Sequence, residues 1–189
     1  RGYQPEAFKK FAIQCGLTKH DIFLDWENLN GINRKIIDPV ANRYMAVVDP
    51  VKISIEDGPE IKKVKTPLHP DFPERGEKTI PVNLAKIYIE SEDFTKLKGK
   101  EVRLKHLGNV ILDRKSRYIG NEIKKDIKKI HWVSEPYINI KIITPSETLK
   151  AIAEPWIKRL KTGSIVQFER FGFCRLDSKK EMIFYFTHK

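Results

Sequence analysis

Apolar runs in this chain are short, and proline or glycine keeps interrupting them: eleven prolines and ten glycines are spread over 189 positions. Long helices are thereby excluded from most of the chain, because an interior proline removes a backbone donor and its ring clashes with the preceding turn. Short strands separated by turns remain, and many of them together argue for a barrel or sandwich. The apolar run at 44–48 stops at Asp49-Pro50, and Ile53 and Ile55 then alternate with polar partners. Val82, Leu84, Ile87 and Ile89 continue the alternation, and Gly108-Asn109 reads as a turn between two strands. Residues 130–133 and 138–143 are strand-like, and alternation resumes over 164–187 through Ile165, Phe168, Phe171 and Phe173.

Two stretches read differently. Residues 57–78 carry Gly58, Pro59, Pro67, Pro70, Pro73 and Gly76 and are expected to be a long loop. In 147–160, Pro155 breaks any helix, so a strand to Ala153 and a short helix over 156–161 are expected.

The N-terminal end is helical instead. Pro5 suits a first turn, where its missing N–H costs nothing. Phe8, Phe11, Ala12 and Cys15 recur at helical spacing before Gly16. Thr18 and Asp21 resemble a capping box for a second helix, whose apolar stripe is Ile22, Trp26, Leu29 and Ile36. Asp38-Pro39 ends it, since the residue before proline is pushed out of the helical region.

The formal net charge is +11, which favours an anionic partner, nucleic acid first. Its distribution says more than its size. Residues 96–131 hold 12 Lys/Arg against 4 Asp/Glu, a local excess of +8, whereas 1–95 are nearly neutral. Within that stretch Val102 and Leu104 alternate with Arg103 and Lys105. A strand there would bury the first pair and present the two cations roughly 7 Å apart on the other face. Such a face suits phosphates or unpaired base edges, and it equally describes the solvated side of a half-buried sheet.

Motifs for catalysis are missing. The chain has no phosphate-cradling glycine loop, no glycine-rich dinucleotide turn, no H-E-x-x-H and no G-x-S-x-G. His20, His69, His106, His131 and His188 show no metal-ligand spacing, and His131 beside Trp132 reads as a core or edge histidine rather than a base. Cys15 and Cys174 lack disulfide or zinc spacing and read as small core residues in a reducing compartment. No apolar run approaches the ~20 residues a membrane-spanning helix needs, and no signal-peptide layout is present. A cytoplasmic location without a membrane partner is therefore expected. Arg1-Gly2-Tyr3, with no initiator methionine, reads as the interior of a longer chain.

Several blocks, in order, resemble one family. They are Arg1-Gly2-Tyr3 with Pro5-Glu6-Ala7, the run 36–44, Asp49-Pro50-Val51-Lys52, the run 99–104, the run 130–134, the run 167–172, and Leu176-Asp177. Together they are similar to the C-terminal anticodon-binding region of glutaminyl- and archaeal or eukaryotic glutamyl-tRNA synthetases. Trp26-Glu27-Asn28-Leu29, the run 32–39 and the run 185–188 look like the archaeal glutamyl type. The resemblance implies a mainly β fold of two β-barrels, proximal and distal, preceded by a short helical segment. It implies a helical stem-contact segment over 1–39, a proximal barrel from 40–95 plus 153–189, and a distal barrel from 96–152.

The same resemblance implies that tRNA for glutamate, and for glutamine as a second possibility, is the partner, bound by a monomeric fragment. Anticodon bases would be splayed and read singly, the usual mode for unpaired RNA. Arg43 matches a residue at the third base, Arg103 and Lys105 match basic positions at the anticodon, and Gln167 and Arg170 match readers of the middle base. That base is U, whose edge a Gln amide and an Arg fork can satisfy. Asp38 stands where glutaminyl enzymes carry asparagine, and an anionic acceptor cannot donate as an amide does. No catalytic residue, metal or cofactor is expected in the fragment; ATP and Mg belong to the parent's catalytic domain, which ligates glutamate to tRNA. A glutaminyl-type region, a non-catalytic barrel of ribosomal type binding RNA by shape, and a free-standing enzyme are the other readings.

Overall fold

The computed structural model describes residues 1–16 and 25–189. Two helices come first, α1 (Pro5–Cys15) and α2 (Trp26–Ile37). Pro5 opens α1 and Gly16 ends it with φ 68°, a value that favours glycine. The Asp25 side chain caps α2 by accepting from the Glu27 N–H at 3.0 Å. The expected capping box at Thr18 and Asp21, and Ile22 of the stripe, lie outside the described residues. Cys174 is buried as expected, but Cys15 is only partly so.

The strands follow: β1 (Asn42–Tyr44), β2 (Ala46–Val48), β3 (Pro50–Glu56), β4 (Lys63–Pro67), β5 (Glu77–Pro81) and β6 (Ile87–Glu90). After a short helix α3 (Ser91–Leu97) come β7 (Glu101–Leu104), β8 (Gly108–Ile111), β9 (Lys115–Gly120), β10 (Lys128–Ile130) and β11 (Val133–Ser134). The last are β12 (Ile138–Ile143), β13 (Thr148–Ala153), β14 (Ile165–Phe168), β15 (Gly172–Ser178) and β16 (Ile183–His188). They form two seven-stranded, barrel-like sheets, in the orders β1-β14-β15-β16-β12-β13-β2 and β10-β7-β8-β9-β3-β6-β11. The mainly β, two-barrel expectation is thus met.

Sheet membership does not follow the expected segmentation. β3 and β6 lie within 40–95 yet pair in the second sheet, and β12 and all but the last residue of β13 lie within 96–152 yet pair with β16 and β2 in the first. The cause sits at Asp49, whose φ of 46° turns the chain sharply between β2 and β3. The chain therefore leaves the first sheet at residue 49 and returns at β12.

Three local expectations are corrected. The stretch 57–78 is not one loop, because β4 and β5 pair antiparallel there as a separate two-stranded sheet. Of the prolines that suggested a loop, Pro67 sits at the end of β4, where a missing N–H is tolerated, and Pro70 and Pro73 lie between the two strands. The turn expected at Gly108-Asn109 comes earlier, over 105–107, with His106 at φ 64°. Lys105 consequently lies in that turn rather than on the strand beside Arg103. Val102 and Leu104 are both fully buried, as their alternation predicts. The strand to Ala153 is present, followed by a 3-10 turn at Pro155–Arg159.

The two cores share a wall. On β2 and β13, Ala46, Ala151 and Ala153 face the core of the first sheet. Met45, Val47 and Ile152 face the core of the second, with Trp132, Ile53, Leu104 and Val110. Small residues on one side and large ones on the other let the two layers pack through the same pair of strands.

The chain's two ends are stitched together. The Gln4 N–H donates to Asn33 Oδ1 at 2.9 Å, the Asn33 amide meets His188 Nε2 at 2.9 Å, and His188 Nδ1 meets the Lys189 carbonyl at 2.8 Å. Since Asn33 Oδ1 is occupied by Gln4, its NH2 faces His188, which must accept at Nε2 and donate from Nδ1. Burial, helped by the Arg34 charge, holds this imidazole below the usual histidine range. A lowered folded pKa means that the unfolded chain takes up the proton first. Stability is then fully present above about pH 6.5 and falls as pH drops below it. Urea midpoints at pH 7.5 and 5.5 should show a drop in the wild type that His188→Gln diminishes.

Candidate nucleic-acid interface

Arg43 and Gln167 are brought side by side by the parallel pairing of β1 with β14, in which they are register partners. Arg43 is nearly buried; its guanidinium donates to Asp38 Oδ1 at 2.6 Å and to the Ala41 carbonyl at 2.9 Å, and lies 5.9 Å from the Phe173 ring centre. Asp38 thus serves as the anchor of Arg43, a task for which a carboxylate is better suited than an amide. Gln167 is half-buried next to it.

Beside Arg43 opens a hollow of about 190 Å³, lined by Arg43, Thr66, Lys78, Lys105, His106 and Glu169 among others. Lys105 donates to Glu169 Oε2 at 2.6 Å, joining the β7–β8 turn of one sheet to the β14–β15 turn of the other. Behind it, Lys78 and Glu154 form a buried ion pair at 2.6 Å. Burial lowers the Lys78 ammonium and raises the Glu154 carboxyl, and their mutual contact opposes both shifts. Lys78 also donates to the Arg43 carbonyl at 2.7 Å, so the pair supports the strand that carries Arg43.

A second hollow of about 250 Å³ adjoins the first through Lys105 and His106 and adds Arg103, Ile123 and Lys129. Three of the expected residues, Arg43, Lys105 and Arg103, therefore line one continuous concave band. Arg170 does not join them. It sits in the β14–β15 turn with φ 64° and lines a different cleft of about 330 Å³, beside Asp49, Glu90 and Phe171. Its guanidinium grips Asp93 with both terminal nitrogens, one at 2.9 Å, and approaches His131 Nδ1 at 3.3 Å. That carboxylate raises the arginine further above its usual range.

Two family models, each described as "tRNA synthetases class I (E and Q), anti-codon binding domain", match residues 41–131 and 129–177. This chain belongs to that family. The anticodon-binding matches span both sheets and include all five expected residues. Similar proteins named glutamate--tRNA ligase occur in Archaeoglobus fulgidus (40% identical over 197 residues), Pyrococcus furiosus (40% over 205) and Methanosarcina barkeri (41% over 200). Each alignment takes in all of this chain but only 34%, 36% and 34% of the relative. The chain spans about a third of the length of these curated relatives.

Among the described residues two groups have the composition of a metal site, Asp38–His69–Asp71 and Glu90–Asp93–His131. Several of their donor atoms are already engaged. His69 uses one ring nitrogen toward the Asp38 carbonyl and accepts the Asp71 N–H with the other, at 3.0 and 3.1 Å. Both Asp93 oxygens bind Arg170. His131 is fully buried, and its Nε2 has no hydrogen-bond partner, lying 3.6 Å from Glu90. Among the described residues no helix is long and apolar enough to cross a membrane.

Sequence reasoning missed the carboxylates that hold the cations: Asp93, Glu154 and Glu169. Only Glu154 left a signal, a lone acidic residue between the apolar run 151–153 and Pro155-Trp156.

Proposed function

We propose that this chain binds the anticodon loop of tRNA as part of a glutamate--tRNA ligase, with tRNA for glutamate as its partner. The observation that carries the reading is the concave band of Arg43, Lys105 and Arg103, in a chain whose family is the anticodon-binding one. The size of its hollows, about 190 and 250 Å³, suits single splayed bases, each being smaller than the ~300–1,000 Å³ of a typical small-molecule site. Gln167 lies next to Arg43, which the resemblance assigns to the third base; the Gln167 amide and the Arg170 fork can together satisfy the edge of the U at the centre of the glutamate anticodon. Arg170 joins them only by turning away from Asp93 or by offering its remaining N–H groups.

Glutamate and tRNA would be joined, with ATP and Mg, by the two thirds of the protein that this chain does not cover. The relatives' shared name supports glutamate over glutamine, and two free cysteines fit a reducing cytoplasmic setting.

Gel-shift titration with anticodon stem–loop RNAs tests the reading. Changing the middle base should weaken binding, and Arg43→Ala and Arg170→Ala should each cost about 1–3 kcal/mol of affinity. A thermal melt of each variant separates lost contact from lost fold, because Arg43 also anchors β1. Affinity indifferent to the middle base would leave only a shape-reading barrel.

A further inference from the structure

Two carboxylates and a histidine meet behind Arg170: Glu90 ends β6, Asp93 lies on α3 and His131 follows β10. One oxygen or nitrogen of each lies within 4.8 Å of the others. The His131 ring is fully buried, and its Nε2 stands 3.6 Å from Glu90 Oε1, too far for a hydrogen bond, with no other partner. A buried polar atom left unpaired is uncommon in a folded protein and calls for an explanation. The Asp38–His69–Asp71 group has no such atom on its histidine, since both ring nitrogens of His69 are used.

Arg170 occupies one side of the group. Its guanidinium holds both Asp93 oxygens, one at 2.9 Å, and lies 3.3 Å from His131 Nδ1. A guanidinium only donates, so Nδ1 accepts and the ring proton stands on Nε2. Arg170 is partly exposed and lines the cleft that also holds Asp49, Glu90 and Glu92. If it turns away from Asp93 to reach a base, it bares a buried carboxylate beside a second one. A buried charge stripped of its partner is strongly unfavourable. The same departure lets Nδ1 carry the ring proton, which gives Nε2 a free lone pair facing the two carboxylates. One imidazole nitrogen with two carboxylate oxygens suits a divalent transition ion such as zinc, whereas magnesium and calcium prefer oxygen throughout. The cleft gives such an ion a way in and room for water as a further ligand.

We propose that Glu90, Asp93 and His131 Nε2 form a zinc-class divalent cation site that excludes the Arg170–Asp93 pair, so that the ion and an RNA that engages Arg170 bind cooperatively. Two contacts enforce the exclusion. Ion and arginine each claim Asp93, and the metal-binding tautomer turns Nδ1 into a donor facing a guanidinium that cannot accept. The coupling to RNA rests on the anticodon-binding reading; the site itself does not.

Titration with cobalt(II), followed by visible absorption, and with zinc(II) in competition tests the site without RNA. Arg170→Ala bares the carboxylates and should bind cobalt about tenfold tighter than the wild type, within the usual range for linked sites. Adding Glu90→Gln should remove that gain, and so should adding His131→Gln. Glu90 is partly exposed, so its variant keeps the test valid where the buried His131 variant fails to fold. Zinc should also raise the melting temperature of Arg170→Ala more than that of the wild type. With RNA, zinc should tighten wild-type binding of an anticodon stem–loop, and the RNA should tighten zinc by the same factor. Glu90→Gln should abolish that effect. Equal cobalt affinity in wild type and Arg170→Ala, or a gain that survives Glu90→Gln, overturns the site. A gain in Arg170→Ala with wild-type RNA binding indifferent to zinc overturns the coupling. The response to a changed middle base in metal-free buffer decides the anticodon reading separately.

Discussion

Glu154→Ala is expected to destabilise the fold by about 3–5 kcal/mol, since removing one member of a buried ion pair strands the other. Glu154 is completely buried, with Oε1 on Lys78 and Oε2 accepting the Met45 N–H at 2.9 Å. Alanine removes both contacts at once. It leaves the Lys78 ammonium in a low-dielectric site facing the Arg43 carbonyl and the Tyr44 ring, 4.6 Å away, with Glu169 as its remaining carboxylate at longer range. Glu154→Gln, which can still accept from Met45, should cost less than alanine. The reverse variant, Lys78→Met, leaves the carboxyl uncompensated and pushes its folded pKa up further than burial already does. The sign is then fixed: the folded state holds the proton longer than the unfolded chain, so this variant loses stability as pH rises above the ordinary carboxylate range. Denaturant midpoints against pH for the three variants check all of this. A Glu154→Ala protein within about 1 kcal/mol of wild type would mean that the pair is not buried in solution.

Trp132→Ala should be comparably severe, about 3–5 kcal/mol by the usual cost of emptying a large aromatic from a core. Trp132 is fully buried in the second sheet's core, beside the wall shared with the first. Its Nε1 also donates to the Lys105 carbonyl at 2.8 Å, pinning the turn that presents Lys105 and His106 to the hollows. Trp132→Phe keeps most of the volume and drops that bond, so its stability loss should be smaller. It should nevertheless loosen the turn, which amide hydrogen exchange at 105–107 would register. Wild-type protection there in the phenylalanine variant would show that the indole bond does not hold the turn.

What could be read from the sequence followed from which way each side chain faces. Val102 and Leu104 on one face of β7 were plain because their strand has one buried side. The run at 44–48 reads as continuously apolar because β2 is buried on both faces, Val47 toward one core and Ala46 toward the other. Strands β4 and β5 escaped because two of their inward positions are polar: Thr66 and Lys78 are buried where alternation leads one to look for an aliphatic. Helix α3, seven residues long, is too short to establish a period, though Phe94 and Leu97 pack on the core. Of the candidate interface, Arg103 and Lys105 were legible as part of a local excess of charge, whereas Arg43, Gln167 and Arg170 were named only through the family resemblance. Their partners were not, because Glu169 lies 64 residues from Lys105 and Asp93 lies 77 from Arg170.

Those partners bear on what the band refuses. Arg43, Lys105 and Arg170 are each already satisfied by Asp38, Glu169 and Asp93. A polyanion offering nothing but phosphate must draw each cation off a carboxylate at hydrogen-bond distance and then sit near the carboxylate it has bared. Its gain in one contact is offset by a repulsion next door. A ligand that brings base edges as well can bond to the carboxylates' side of the exchange through its own N–H groups, and so escapes that penalty. On the proposed reading, the fold's internal bridges act as a screen that favours chains bringing base edges over those bringing phosphate alone.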